Sequence, residues 1–519
     1  MKRNFKRVFT IVFSVLLMSV VLMTSAYAYV PYTAYNFDYY GDIVSGPAGY
    51  VPEKVLFGAD MGLDELTNPT DMYVTKDNHV YIVDHDTTST YARVVILDEN
   101  LKLIKIIDKF YGTDGKALTV NNLMGVCVDD DGYIYLCDPD NFRILKINQS
   151  GKTVLTYGAP PQEYVTDSFT YRPQKLAIGI NGSIYVLSQG CTDGILEFDT
   201  KGVFVRFFGA PEVELSVSDY INIYWRNIYR VFGGDQVDAY FATYVPSEFS
   251  NLTVDENGFV FTMVAANESS TEELYKLNFI GTNILDPNQK STKKKTTALS
   301  ANYGDLITRS TIGEGNTFAD VCTDSDGFFS LLDNNLGKVF EYDKEGNLIF
   351  VYGNKGNEAN QIQAGLLDFP SAIAKLNDRT LVLDGSTGAI TVYKLSDYGK
   401  QLHQAVNLYN LGKYEESRTP WNNVLKYDAN SELAHIGLGK VYYLQGEYKE
   451  ALAEFKLGND RNNYSRTYKL YRDEVIRANF GWVITIIVVL IILLVVNKKF
   501  GKRIRAAIKN KRKGVSADE

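Results

Sequence analysis

Histidine and cysteine are scarce in this chain, four of each among 519 residues, and His79, His85, His403 and His435 form no ligand cluster in the sequence. No Cys-x-x-Cys and no zinc-ligand spacing occurs, which argues against a metal site of that kind. A Gly-x-Ser-x-Gly nucleophile motif and a glycine-rich phosphate loop are missing too, so serine-hydrolase and nucleotide chemistry have no basis in sequence. Only 13 prolines, set against 45% apolar residues, argue against a disordered chain. Positive charge is lacking from the bulk. Setting aside Lys2, Arg3, Lys6, Arg7 and everything after Asn497 leaves 40 basic against 60 acidic residues, which disfavours nucleic acid as a partner.

The basic residues stand at the two ends, each group beside an apolar run. Residues 1–28 read as a secretory signal, with a basic start, an apolar stretch over 8–23 and Ala26-Tyr27-Ala28 as cleavage site, so the mature chain is expected to start near Tyr29. Left uncleaved, the same run would be a first membrane anchor. Residues 480–496, FGWVITIIVVLIILLVV, carry no charge for 17 residues, roughly 25 Å of helix. Trp482 suits the outer interface and Lys498 the inner one. Nine basic residues follow in the tail 497–519, which by the positive-inside rule is cytoplasmic, leaving all before 480 outside. The expected localisation is the cell membrane, single-pass, with extracytoplasmic N-terminal domains. The tail is too short for a catalytic domain and reads as a topology and lipid-contact signal.

Between these ends, residues 123–147, LMGVCVDDDGYIYLCDPDNFRILKI, form a unit that recurs. Apolar residues alternate over 126–128, a DDDG turn reverses the chain, alternation resumes over 133–137, and strands follow at 143–147 and 152–158. One unit of about 38 residues thus makes a four-stranded antiparallel sheet, the sequence mark of a propeller blade. Registered on the end of the second strand, Asp84, Asp138, Ser188, Val264, Asp333 and Asp384 align, giving six units over 68–107, 121–158, 171–209, 249–285, 317–353 and 367–398. The aspartates there are expected to cap loop backbone N–H groups rather than bind metal. The sixth unit lacks its last strand, and KVLFG at 54–58 supplies one of the right form, so the N-terminal segment is expected to close the ring. Cys127 and Cys322 fall at equivalent places inside buried strands. The turn sets Cys127 near Ile134 rather than Cys137, so the four cysteines are expected to stay unpaired.

The units NPTDMYV, NNLMGVCVDDDGYIYLCDPDNFRILKI and YRPQKLAI with GSIYVL resemble NHL-repeat six-bladed β-propellers over about 350 residues. The resemblance implies a mainly β fold over 51–400, preceded by an N-terminal segment, 29–50. Two insertions interrupt it. Residues 211–249 carry an aromatic helix or lid, with Tyr220, Tyr224, Trp225 and Tyr229 as a candidate interaction surface; residues 286–316 include KSTKKKTT and read as a solvated linker.

Beyond Ser396 the period becomes helical. Leu408 and Tyr442, Gly412 and Gly446, Tyr414 and Tyr448, and Trp421 and Phe455 recur at 34 residues, a spacing that resembles tetratricopeptide repeats. Residues 401–479 are therefore expected to form a small α-helical stalk, capped by a helix over 464–478 that continues into the span. Trp421 is a second candidate interaction residue, and small residues at the repeat positions are expected to let helices approach.

Counting along the strands places Asp71, Gly125, Lys175, Asn251, Asp320 and Ala372 at equivalent positions around the mouth of the channel, with Gln174 beside them. Asp71, Gln174, Lys175, Asn251 and Asp320 are the candidate ligand-binding set, able to hydrogen-bond a sugar or peptide; equally, a wet channel needs no ligand. Six-bladed lactonases and amidating lyases resemble this fold and hold a metal at that mouth, and Asp71, Asn251 and Asp320 would supply part of a lactonase-like set. The lyase type needs several histidines, and only His79 and His85 lie in the propeller. The expected reading is no enzyme and no cofactor. The chain is expected to be a membrane-anchored binding, sensing or scaffold protein with a protein partner in the cell envelope, such as an accessory subunit of a transport or wall-synthesis complex. The alternatives are a receptor for cell-wall carbohydrate or a small ligand, and a lactonase-like metal-dependent hydrolase. NHL propellers resembling this one serve as external sensors of bacterial membrane kinases, and a signalling role here is expected to need a membrane partner.

Overall fold

Alternation of apolar and polar residues at period two, broken every few residues by Asp-x-x-Gly turns, builds the N-terminal part mainly from short antiparallel strands. The computed structural model describes residues 30–38, 41–86, 88, 91–166, 169–209, 248–264, 274–285, 303–305, 316–356 and 363–515. The proposed signal, Tyr220, Tyr224, Trp225 and Tyr229, and most of 286–316 lie outside them. The chain divides into two units, Met1–Lys400 and Gln401–Glu519.

The first unit is a six-bladed propeller. Blade one is Pro69–Val74, Val80–His85, Ala92–Leu97 and Leu103–Ile107; blade two is Val126–Val128, Ile134–Asp138, Arg143–Ile147 and Thr153–Tyr157. Blades three and five have the same four-strand meander, and blade four has three strands among the described residues. Blade six is closed as expected. Its strands Pro370–Leu376, Arg379–Asp384 and Ala389–Leu395 are completed by Tyr50–Leu56, which pairs antiparallel with the last of them. The closing strand starts four residues before KVLFG and includes Pro52, which an outermost strand tolerates because one side of its backbone needs no ladder partner.

Turns recur in one form. Asp98, Asn148, Asp199, Asp255, Asn278, Asp324 and Asp343 each accept backbone N–H groups two and four residues on through Oδ1, so the side chain holds a reversal whose positive-φ position is a glycine in six turns and Leu101 in the first. Three of the four aligned aspartates cap loop backbone as expected, whereas Asp138 accepts from the side chains of Asn141 and Arg143. Asp84 accepts from the Thr67 and Asn68 N–H groups at 2.9 Å, Asp333 from Thr317, Asn335 and Leu336, and Asp384 from Asp368 and Phe369.

Apolar clusters fill the spaces between neighbouring blades: Ile82 and Met72 with Leu383 and Val392, Val94 with Leu136 and Leu145, Ile144 with Val186 and Leu196, and Phe261 with Phe329 and Phe340. Each fully buried side chain of this size contributes about 1.5–3 kcal/mol. All four cysteines are buried and unpaired. Cys127 faces Tyr135, one residue beyond the expected Ile134, because the turn through Asp129 and Gly132 leaves Val128 opposite Ile134.

The second unit is helical. Tyr409 to Gly446 are spanned by α1 (Asp397–Asn410), α2 (Tyr414–Tyr427) and α3 (Glu432–Gln445), followed by α4 (Tyr448–Leu457) and a single long helix, α5 (Arg461–Val515). Gly412 and Gly446 end helices, with φ of +75° and +80°, rather than lining a contact. The close approaches belong to other glycines. A Cβ on Gly437 would lie 2.4 Å from the Trp421 ring, and one on Gly439 2.6 Å from the Phe455 ring, so rings from α2 and α4 seat directly on the α3 backbone.

Candidate functional site at the channel mouth

Five first strands carry the same irregularity. The pairing slips by one residue between Pro69 and Asp71, Pro173 and Lys175, Phe249 and Asn251, Phe318 and Asp320, and Pro370 and Ala372. A bulge of this kind re-aims the next side chain. It brings the positions counted from the sequence into one ring. Blade two contributes Gly125, and the approach there is too close for a side chain, since a Cβ would lie 2.6 Å from the Gln174 carbonyl oxygen and 3.1 Å from Cys137 Sγ.

Lys175 is the centre of the ring. Its Nζ donates to Asp71 Oδ1 at 2.6 Å and to Asp320 Oδ1 at 3.1 Å, so one ammonium from blade three joins blades one and five. The second oxygen of each carboxylate is also committed. Asp71 Oδ2 accepts from the Val126 N–H of blade two at 2.9 Å, and Asp320 Oδ2 from the Ile373 N–H of blade six at 2.8 Å. Asn251 Nδ2 donates to the Ala319 carbonyl at 2.6 Å, tying blade four to blade five, while its Oδ1 is buried with no hydrogen-bond partner among the described residues. Thr70 and Ser371 hydroxyls donate across further blade boundaries, to Leu123 and Pro69 carbonyls.

The electrostatics follow from this packing. Burial alone would lower the Lys175 amine, but the Asp320 and Asp71 carboxylates outweigh it and hold the amine above its ordinary range. Burial raises the Asp320 carboxyl, opposed by Lys175. The structure therefore brings together Asp71, Lys175 and Asp320 as a buried triad in which one ammonium bridges two acidic groups, with Asn251 and the half-buried Gln174 in the same ring.

A second buried cluster lies where the ring closes. Lys375 Nζ is 2.5 Å from Glu341 Oε2 and 3.0 Å from both the Tyr50 hydroxyl and Thr380 Oγ1. The Tyr50 hydroxyl and Ser330 Oγ donate to the same carboxylate oxygen, at 2.8 and 3.1 Å. Tyr50 stacks on Tyr352, with centroids 4.3 Å apart, so the closing strand is pinned to blades five and six together. Sequence reasoning missed this cluster; a lysine and a glutamate next to the ends of apolar strands were its signal.

The remaining candidates are placed elsewhere. Trp421, expected on an interaction surface, is 3% exposed, because the glycine opposite it on α3 admits the whole ring. His79 pairs with Asp77 at the surface, and His85 packs against Asn68. Among the described residues no group of three or more His, Cys, Asp or Glu is arranged to hold a metal ion.

The TPR repeat family matches residues 407–446. A search of curated proteins found no match. Similar solved structures include virginiamycin B lyase from Staphylococcus aureus, at 11% identity over 67% of this chain and 100% of that one, TM-score 0.35. PQQ-bound aldose sugar dehydrogenase from Streptomyces coelicolor matches at 13% identity over 68% of this chain and 100% of that one, TM-score 0.37. Likeness at this level carries no argument about activity or ligand.

Proposed function

We propose that the chain is a single-pass membrane protein whose NHL-like propeller and TPR-like helices form an extracytoplasmic binding or scaffold module, serving as an accessory subunit of an envelope complex. The observation that carries the reading is α5. The helical repeats run through it without a break into an apolar segment with hydropathy 2.9, none of it buried, and a surface of that kind needs lipid around it. The basic flank after Asn497 supports a cytoplasmic C-terminus, and residues 1–28 support export. A helical repeat that resembles protein-binding modules supports a protein partner. Binding is favoured over metal-dependent hydrolysis because the Lys175 ammonium stands between Asp71 and Asp320, where a divalent ion would need both carboxylates.

Mild-detergent purification from the native membrane, with mass spectrometry after a salt wash, tests the reading. Stoichiometric recovery of a multi-span membrane protein is expected. Recovery of the chain alone, together with saturable binding of glycan or divalent metal to the ectodomain, would replace it.

A further inference from the structure

Past the apolar run, α5 continues as a helix in which charge and apolar surface are segregated. At about 100° per residue, Phe500, Ile504 and Ile508 fall in one arc with Ala507 beside them. Lys498, Lys499, Lys502, Arg505 and Lys509 fill the opposite side, and Arg503 flanks the stripe. No acidic residue occurs between 480 and 510. The three large apolar side chains are 46%, 58% and 54% exposed, although nothing in a purely topological signal calls for them. A basic helix with a separate apolar stripe fits an anionic lipid surface, where the stripe enters the acyl boundary and the ammonium and guanidinium groups meet phosphates.

We propose that residues 498–510 are an anionic-lipid-binding helix that seats its Phe500, Ile504 and Ile508 stripe in the leaflet from which the apolar run emerges. The occupant is lipid rather than protein because the stripe is continuous along one helix with the apolar run, and the charge is of one sign. Gly501, the poorest helix former in the segment, gives the point at which the helix turns toward the membrane plane. The inference rests on the reading of 480–496 as a membrane span.

The test uses the full-length chain in lipid nanodiscs, with an environment-sensitive fluorophore on Ala507→Cys (stripe side), Ala506→Cys (basic side) or Leu490→Cys (span). The native cysteines are all buried, so labelling goes to the introduced one. The expected result is emission from position 507 about twofold higher in phosphatidylcholine discs containing phosphatidylglycerol than in phosphatidylcholine alone, with position 506 unchanged. Phe500→Gln, Ile504→Gln and Ile508→Gln combined should abolish that increase. Equal emission at 507 in both lipids overturns the proposal, and when position 490 still reports lipid, the span reading survives. A water-exposed label at 490 ends both. Emission at 507 that rises only in native membranes identifies a protein occupant and also overturns it.

Discussion

The propeller and the helical unit bury their interiors by opposite means. The propeller takes charge inside and pairs it, as with Lys175 between Asp71 and Asp320, Lys375 against Glu341, and Arg93 against Asp84. The helical unit relies chiefly on rings fitted onto glycines, Trp421 on Gly437 and Phe455 on Gly439, with the His435–Glu454 pair as its one largely buried ion pair among the described residues. The difference follows from symmetry. Six similar sheets packed by similar apolar faces could slide or exchange neighbours at small cost, whereas a buried ion pair penalises any arrangement that separates it. Two helical hairpins, joined in series by short loops, have no such alternatives to exclude.

The largest expected effect is therefore at the closure. Glu341→Leu leaves the Lys375 ammonium buried without its carboxylate and should destabilise the propeller by about 3–5 kcal/mol. A thermal melt should show a midpoint lower by about 10 °C. Adding Lys375→Met should recover most of the loss, and a double variant as unstable as the single one would deny the pair its role. Next is the mouth. Lys175→Met sets two carboxylates facing each other and should cost about 3 kcal/mol, less than the closure because each keeps a backbone N–H donor. An unchanged midpoint would mean that the ring is not a staple, and would return Asp71 and Asp320 to the ligand-binding reading. In the helical unit the same logic predicts sensitivity to volume rather than charge. Gly437→Ala forces the Trp421 ring aside and should cost about 1–3 kcal/mol, read as faster amide exchange in α2 and α3.

The sequence carried the propeller because each blade repeats locally: alternation, turn and loop aspartate all act within about 38 residues. The closing strand was legible as the one missing piece. What joins distant blades was not. Lys175 meets Asp71 and Asp320 across 104 and 145 positions, and Tyr50 meets Lys375 across 325, contacts that exist only once the ring has closed. The mouth positions themselves could be counted along the strands, but their commitment to one another could not. In the helices the 34-residue period identified Trp421 as a repeat position without saying which way it faced. Gly437 decided that, and it lies outside the matched pairs of residues.

The smallest effect sharpens the comparison from the helical side, where the most buried ion pair is His435 with Glu454. His435 Nδ1 lies 2.7 Å from Glu454 Oε2 on α4, Nε2 contacts the Ala429 carbonyl, and Asp428 adds a weaker field. The hydrogen bond to Glu454, working against partial burial, raises the imidazole above its ordinary range. A folded-state value above the unfolded one means the protonated pair stabilises the fold fully below the unfolded value, while Glu454 remains ionised. That contribution disappears as pH rises through the raised value. Amide exchange in α3 and α4 should accordingly be slower near pH 6 than near pH 8.5 after correction for intrinsic rates, by the equivalent of about 1 kcal/mol, and His435→Gln should remove the difference. Propeller amides near Lys375 should show no matching change across that window, because the Glu341 carboxylate outweighs the effect of burial and leaves its ammonium charged throughout. A pH response shared by both units would mean that the charge economy of the propeller extends into the helices.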